Sequence, residues 1–408
     1  MTDGPRRFFL GSFGDPGHAF PMLALGTRLV ERGHTVMLET WERWRGAVEN
    51  AGMAFAAAPA YSVFPTREEP LKPYEAVVRA APETRGAIAP FTPDVVVHDV
   101  LTIAPALAAE LEGVPAATLV PHLYPGPSPG LPPYGLGARP ARTPVGRALW
   151  RALERPLELG FARGRSELNE TRARLGLPPV TRRLGGISDR LCIVGTFPQL
   201  EYPRAWPENT HVVGPLLWEP PSEPVDPPPG TDPLVLVAPS TAHDPEQRLL
   251  RAALSGLARE PVRVLAATNR REPLPPIDVP ANATLVDWLS YSRTMPGCAL
   301  VITHAGHGTL ARALACGCPV LAVPHSGDMG ENAARADWAG VGVRLPWRFL
   351  SPATLRLAAR RALAEPALAQ RAAELQRWAE FGDGMERAAD LVEELATGTR
   401  PRERARTR

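Results

Sequence analysis

The chain has 408 residues, 44% of them hydrophobic, which is enough for two domains with cores of their own. Its formal net charge of +2 provides no strong field for nucleic acid or an acidic membrane. Of the four cysteines, only Cys316 and Cys318 lie close together, without ligand partners at zinc spacing, so buried free thiols are expected rather than a metal or disulfide. With no signal sequence and no apolar run of roughly 20 residues, a cytoplasmic location is expected.

Phe8 to Ser12 predicts a first strand, followed by a Gly-rich turn, an amphipathic helix over Met22 to Arg32, Gly33 and a second strand. Gly14 and Gly17 flank Asp15-Pro16, which sets His18 at or near the start of that helix. Spacing alone leaves His18 as either a helix cap or a general base. Residues Trp41 to Arg85 read as irregular, and their aromatics (Trp41, Trp44, Phe55, Tyr61, Phe64 and Tyr74) as packing more than ligand contacts. Residues 93–120 predict strand, turn, helix and strand. Asp99 ends the first of these strands, at the edge where open α/β sheets bind ligands. His98 alternates to the other side and reads as structural. His122 to Arg142 is Pro- and Gly-rich and predicts a long surface loop, followed by a helical segment from Val145 to Leu175. Leu191 to Gly195 and Val212 to Gly214 predict the last strands of the first domain. Glu219 to Pro233 is dense in proline and predicts a stiff linker.

The second half opens with a strand, Leu234 to Ala238, and a Ser240-Thr241 turn. A helix (Gln247 to Arg259) and a strand (Val262 to Ala266) follow. Ala299 to Asn332 then carries a second β-α-β unit, whose turn His304-Ala305-Gly306-His307-Gly308-Thr309 joins a strand end to a helix start. Free N–H groups and the helix dipole favour an anion there, and Gly306 and Gly308 allow a phosphate close approach. A turn of this kind is either structural or a phosphate cradle. Asp328 and Asn332, at the same sheet edge, favour the cradle and a ligand with hydroxyls beyond its phosphates. Apolar spacing after Asn332 predicts core-facing helices as far as Thr397, and residues 399–408 predict a frayed basic tail.

The run H-x-G-x-G-T, an apolar strand, then P-x-x-x-D-x-x-x-N-A resembles the family-one inverting glycosyltransferases of the UDP-glycosyltransferase superfamily, bacterial natural-product type. Gly17-His18-Ala19-Phe20-Pro21 also matches that family's G-H-x-x-P. The resemblance implies a GT-B fold, α/β, with two facing Rossmann-like domains with parallel sheets and a proline-rich linker. It implies residues 1–218 for the acceptor, 219–233 for the linker and 234–398 for the nucleotide-sugar, with part of 377–398 packing back on the first domain. It makes His18 the base and Asp99 its partner. Ser240, Thr241, His304, Gly306, Gly308 and Thr309 become the diphosphate site, and Trp288 the nucleobase stack. Asp328, Met329 and Asn332 become the sugar site. Two departures stand out. Trp288-Leu289-Ser290-Tyr291 lacks the family's Pro-Gln, and Met329 replaces a glutamine that binds sugar hydroxyls, which suits either a deoxysugar donor or a site where another residue has taken over. The implied reaction moves a sugar from a UDP- or dTDP-linked donor to a hydroxyl of a small apolar aglycone such as a polyketide or phenol. No metal or other cofactor is expected, nor nucleic acid or stable membrane association, and the chain is expected as monomer or homodimer. The rival readings are a lipid-intermediate N-acetylglucosaminyl transferase of peptidoglycan synthesis and a non-catalytic auxiliary homologue.

Overall fold

A computed structural model describes residues 4–59, 75–223, 225–239, 244–273 and 275–398. Tyr61, Phe64, Tyr74, Ser240, Thr241 and the basic run 399–408 lie outside the described residues. Short β-branched and apolar runs form two wholly parallel sheets, each covered by helices, as parallel strands require. The N-terminal sheet holds β1 (Arg7–Gly11), β2 (Thr35–Thr40), β3 (Ala54–Ala57), β4 (Val95–Asp99), β5 (Ala116–Val120), β6 (Cys192–Val194) and β7 (Thr210–Val212), in the order β3-β2-β1-β4-β5-β6-β7. The C-terminal sheet holds β8 (Leu234–Ala238), β9 (Arg263–Ala267), β10 (Ala283–Val286), β11 (Leu300–Thr303), β12 (Val320–Ala322) and β13 (Gly342–Arg344), in the order β10-β9-β8-β11-β12-β13. The fold is thus α/β, two Rossmann-like domains of GT-B type.

Strand order reverses between β1 and β4 in the first sheet and between β8 and β11 in the second. Helices leave opposite faces of the sheet on either side of such a switch point, opening a crevice at the carboxyl ends of the strands. Phe8 to Gly11 pair in register with Val95 to His98, which brings the turn after β1 beside Asp99. Leu300 to Thr303 pair likewise with Val235 to Ala238.

Three segments differ from their sequence reading. The first helix runs Pro16–Glu31, six residues earlier than Met22, because Pro16 suits a first turn. Pro21 inside it lacks an N–H for the Gly17 carbonyl and gives the misleading stop signal. The stretch read as irregular contains β3 and a helix, Glu75–Phe91, whose Pro82 and Pro90 hide it from pattern reading. The Pro- and Gly-rich segment 122–142 does not simply run over the surface: part of it crosses to the other domain. There Gly137 N donates to Glu331 Oε2 (3.2 Å), Arg344 Nη1 donates to the Gly137 carbonyl (2.6 Å), and Arg139 pairs with Asp337.

The last helix, Gly384–Ala396, packs on the N-terminal domain. Ala388, Ala389, Leu391 and Val392 join a core that includes Leu23, Leu25, Leu191 and Ile193. Arg32 ties the helix down through Glu386, Asp390 and Glu393. The four cysteines are free thiols. Among the described residues no helix is long and apolar enough to cross a membrane.

Candidate active site

The N-terminal switch point carries an imidazole–carboxylate pair. His18 lies in the first turn of Pro16–Glu31, with Nδ1 2.8 Å from Asp99 Oδ1, and Asp99 is fully buried. The carboxylate also accepts from Phe13 N (2.9 Å), Leu101 N (3.0 Å) and Thr102 Oγ1 (3.4 Å), so four donors fix its orientation. A carboxylate can only accept, so Nδ1 holds the ring proton and Nε2 keeps its lone pair. Burial works against a charged imidazole, but the charge and hydrogen bond of Asp99 outweigh it and hold His18 above its ordinary value. Burial likewise works against the Asp99 carboxylate, yet His18 and the N–H donors hold it below the usual range. His98 faces away: its Nε2 accepts from Thr118 Oγ1 (2.7 Å), and burial pushes it down to about 4, so it is a neutral framework group.

The C-terminal switch point carries the turn after β11. Ala305 adopts a left-handed φ of 64°, uncommon for a residue with a side chain, and the helix His307–Ala315 starts at once with no side-chain cap. Its first-turn N–H groups are therefore left for a ligand, and the dipole favours an anion. A Cβ on Gly306 or Gly308 would meet no protein atom within 4 Å, so the space above both is open for a ligand. His304 is almost fully buried, its Nε2 3.3 Å from Asp244 Oδ2. Burial opposes the Asp244 charge, but the bond to His304 and the N–H groups of Leu249 and Arg248 hold its carboxyl below the usual range.

Between the switch points lies a cleft of about 210 Å³. Trp288, His304, Gly306, Gly308, Thr309 and Met329 line it from one domain, and Gly17, Phe20 and Trp218 from the other. The Arg270 guanidinium lies 4.9 Å from the Trp288 ring centroid. Asp328 is half-buried at the same edge. Asn332 is fully buried, and its Nδ2 donates to the Ala305 carbonyl (2.9 Å) and Asp328 Oδ2 (3.0 Å), so it braces the turn and the acid. A larger depression, about 630 Å³, lies beside the last helix. Arg32 and His34, which line it, are already paired with carboxylates.

Sequence reasoning passed over several residues of this cleft. Arg312 lines it, donates to the Trp218 carbonyl (2.8 Å) and sits 3.6 Å from Glu219, the first linker residue. Its signal was available, since position 312 is one helical turn beyond Gly308. Asn269 lines it with a left-handed φ of 53°, a strain no periodicity reveals. Beside the cleft, His122, just past β5, has its ring centroid 5.8 Å from that of His18, at 82°. Its strand-end position was the same signal that singled out Asp99.

An imidazole–carboxylate pair thus faces an uncapped helix start across a cleft between two parallel-sheet domains. Residues 251–384 match the family described as "Erythromycin biosynthesis protein CIII-like, C-terminal domain". The chain is 30% identical to 4'-demethylrebeccamycin synthase of Lentzea aerocolonigenes, over 93% of this chain and 97% of that one. It is 32% identical to O-mycaminosyltylonolide 6-deoxyallosyltransferase of Streptomyces fradiae, over 96% and 97%. In fold it is similar to the kitacinnamycin glycotransferase (TM-score 0.77, 20% identity, 96% of this chain and 98% of that one). It is similar also to the glycosyltransferase VinC in complex with dTDP (TM-score 0.66, 20% identity, 96% and 100%). The chain belongs to the natural-product glycosyltransferases of GT-B fold, and it is a glycosyltransferase of antibiotic-biosynthesis type.

Proposed function

We propose that the chain transfers a sugar, with inversion, from a UDP- or dTDP-linked donor to a hydroxyl of a small apolar aglycone. The observation that carries this reading is the His18–Asp99 pair at 2.8 Å, set at the switch point opposite the phosphate-type turn. In this reading His18 Nε2 takes the proton of the acceptor hydroxyl while Asp99 holds the tautomer and stabilises the imidazolium that forms. The oxygen attacks the anomeric carbon from the face opposite the departing diphosphate. Charge on the leaving group is met by the N–H groups of the Gly306–Thr309 turn, by the His304 imidazole and by Arg312, with no metal or other cofactor required. Ser240 and Thr241 are proposed to add hydroxyl donors.

Trp288 would stack on the nucleobase, and Asp328 would accept from sugar hydroxyls. Met329 lines the cleft where a hydrogen-bonding residue would suit a fully hydroxylated sugar, and one relative is named as a 6-deoxyallosyltransferase. Both points favour a deoxysugar donor, and the dTDP bound to VinC favours a thymidine nucleotide. Thermal-shift binding of UDP, dTDP, ADP and GDP tests the donor site in wild type and His304→Ala, because a ligand specific to the native state raises its apparent stability. Stabilisation by dTDP or UDP, lost in the variant, is expected. Equal shifts with all four nucleotides, or none with any, would count against it.

A further inference from the structure

Beside the proposed base stands a second imidazole with no role in the steps above. His122 lies two residues past β5, as Asp99 ends β4 and the His18 turn follows β1, so three adjacent strand ends converge on one point. Its Nδ1 is 2.8 Å from the Leu123 carbonyl, which can only accept, so that nitrogen carries the proton. The Tyr134 hydroxyl is more distant, 3.4 Å from the same nitrogen, and the Tyr134 ring stacks on His122 with centroids 6.2 Å apart. Tyr134 belongs to the segment anchored on the other domain through Gly137, so the imidazole is held between two aromatic neighbours and cannot turn freely. Nε2 is thereby fixed as a lone-pair acceptor, and no described residue hydrogen-bonds to it.

We propose that His122 Nε2 accepts a hydrogen bond from a substrate hydroxyl adjacent to the reacting centre, making His122 a specificity-determining residue. The inference rests on the transfer reaction proposed above. Burial and the neighbouring His18 both hold His122 below the ordinary histidine value, which keeps it an acceptor at neutral pH. A purely packing ring would need neither a fixed tautomer nor a nitrogen without a partner. His122 is part-buried, and an acceptor that loses its water when substrate binds discriminates against a substrate that leaves it unpaired. Such a hydroxyl has two sources: a second hydroxyl of the acceptor next to the nucleophile, or the C2 hydroxyl of the donor sugar.

The test compares kcat/KM for two substrate pairs in wild type, His122→Phe and His122→Gln. One pair is alizarin, a vicinal diphenol, against the monophenol hydroxyanthraquinone, with dTDP-glucose as donor. The other is dTDP-glucose against dTDP-2-deoxyglucose, with one acceptor. In wild type, loss of the hydroxyl in one pair is expected to lower kcat/KM about tenfold. His122→Phe keeps the ring contact, should abolish that difference, and should leave the substrate lacking the hydroxyl unaffected. His122→Gln, whose amide oxygen reaches near the Nε2 position, should restore part of it. The pair that responds names the source. Ratios that are the same in wild type and His122→Phe for both pairs would overturn the proposal. Absence of transfer by wild type to either acceptor from either donor would instead remove the reaction on which it rests.

Discussion

Arg335 and Glu201 meet across the domain interface at 3.1 Å, with only 2% and 6% of their surfaces exposed. Arg335 projects from the helix Met329–Trp338, which begins directly after Asp328. Its Nε donates to Glu331 Oε1 (2.9 Å), and its guanidinium stacks 3.5 Å over the Tyr202 ring. Glu201 in turn accepts from Tyr124 N (2.7 Å). The helix Met329–Trp338 and the N-terminal domain are therefore joined by buried charge rather than apolar contact alone. Removing one partner strands the other without water, so Arg335→Leu is expected to cost about 3–5 kcal/mol. Urea midpoints check this, and a cost near zero would mean that the carboxylates find other partners.

Gly137 tests the same junction by sterics. Its φ is +59°, and a Cβ there would lie 2.6 Å from the Gly330 carbonyl oxygen. Gly130 has a similar φ of +74° but open space around it. Both alanine variants meet the backbone cost, of order 1 kcal/mol, whereas only Gly137→Ala must also push the domains apart. The melting temperature of Gly137→Ala is expected to fall clearly below that of Gly130→Ala. Equal values would show that the segment yields without strain.

Stability should depend on pH through two buried histidines. His98 and His307 are each pushed down to about 4 by burial, against an ordinary value of 6.5. Between those values the unfolded chain binds protons that the folded chain refuses. Stability therefore rises from pH 4 to 6.5 and is lost as pH falls through that window. Urea titrations across the window should show this slope, and His98→Gln should reduce it by about one proton. An unchanged slope would mean that His98 protonates in the folded state.

The proposed base, His18, predicts a pH–rate signature. Asp99 holds His18 above the ordinary histidine value, so the acid limb of kcat/KM should lie above 6.5. In Asp99→Asn the limb should move to lower pH, and the rate should fall by a factor of order 10⁴ at most, since the tautomer is no longer enforced. A limb that stays in place would separate Asp99 from the base.

Much of this architecture was legible because each site lies where a strand ends and a turn begins. Asp99 and the His304–Thr309 turn announce themselves by position, and the parallel sheets by short apolar runs. Local patterns could not show what depends on the other domain. The segment 122–142 looks like surface loop because Pro and Gly mark irregular backbone; that this backbone docks on Gly330 follows only from tertiary packing. Nothing in the spacing of Arg335 and Glu331 shows that the fold buries both charges against the first domain. Asn332 is similar: its motif position does not show that its amide also braces Asp328 and Ala305.

The most direct measurement is transfer by wild type and His18→Ala from a dTDP-sugar, with the anomeric configuration of the product read by NMR. Wild type should release nucleoside diphosphate in step with a glycoside of inverted configuration. His18→Ala should retain nucleotide binding but transfer about 10²–10⁴ times more slowly. A variant as fast as wild type, or a product of retained configuration, would contradict His18 as the base of a single inverting displacement.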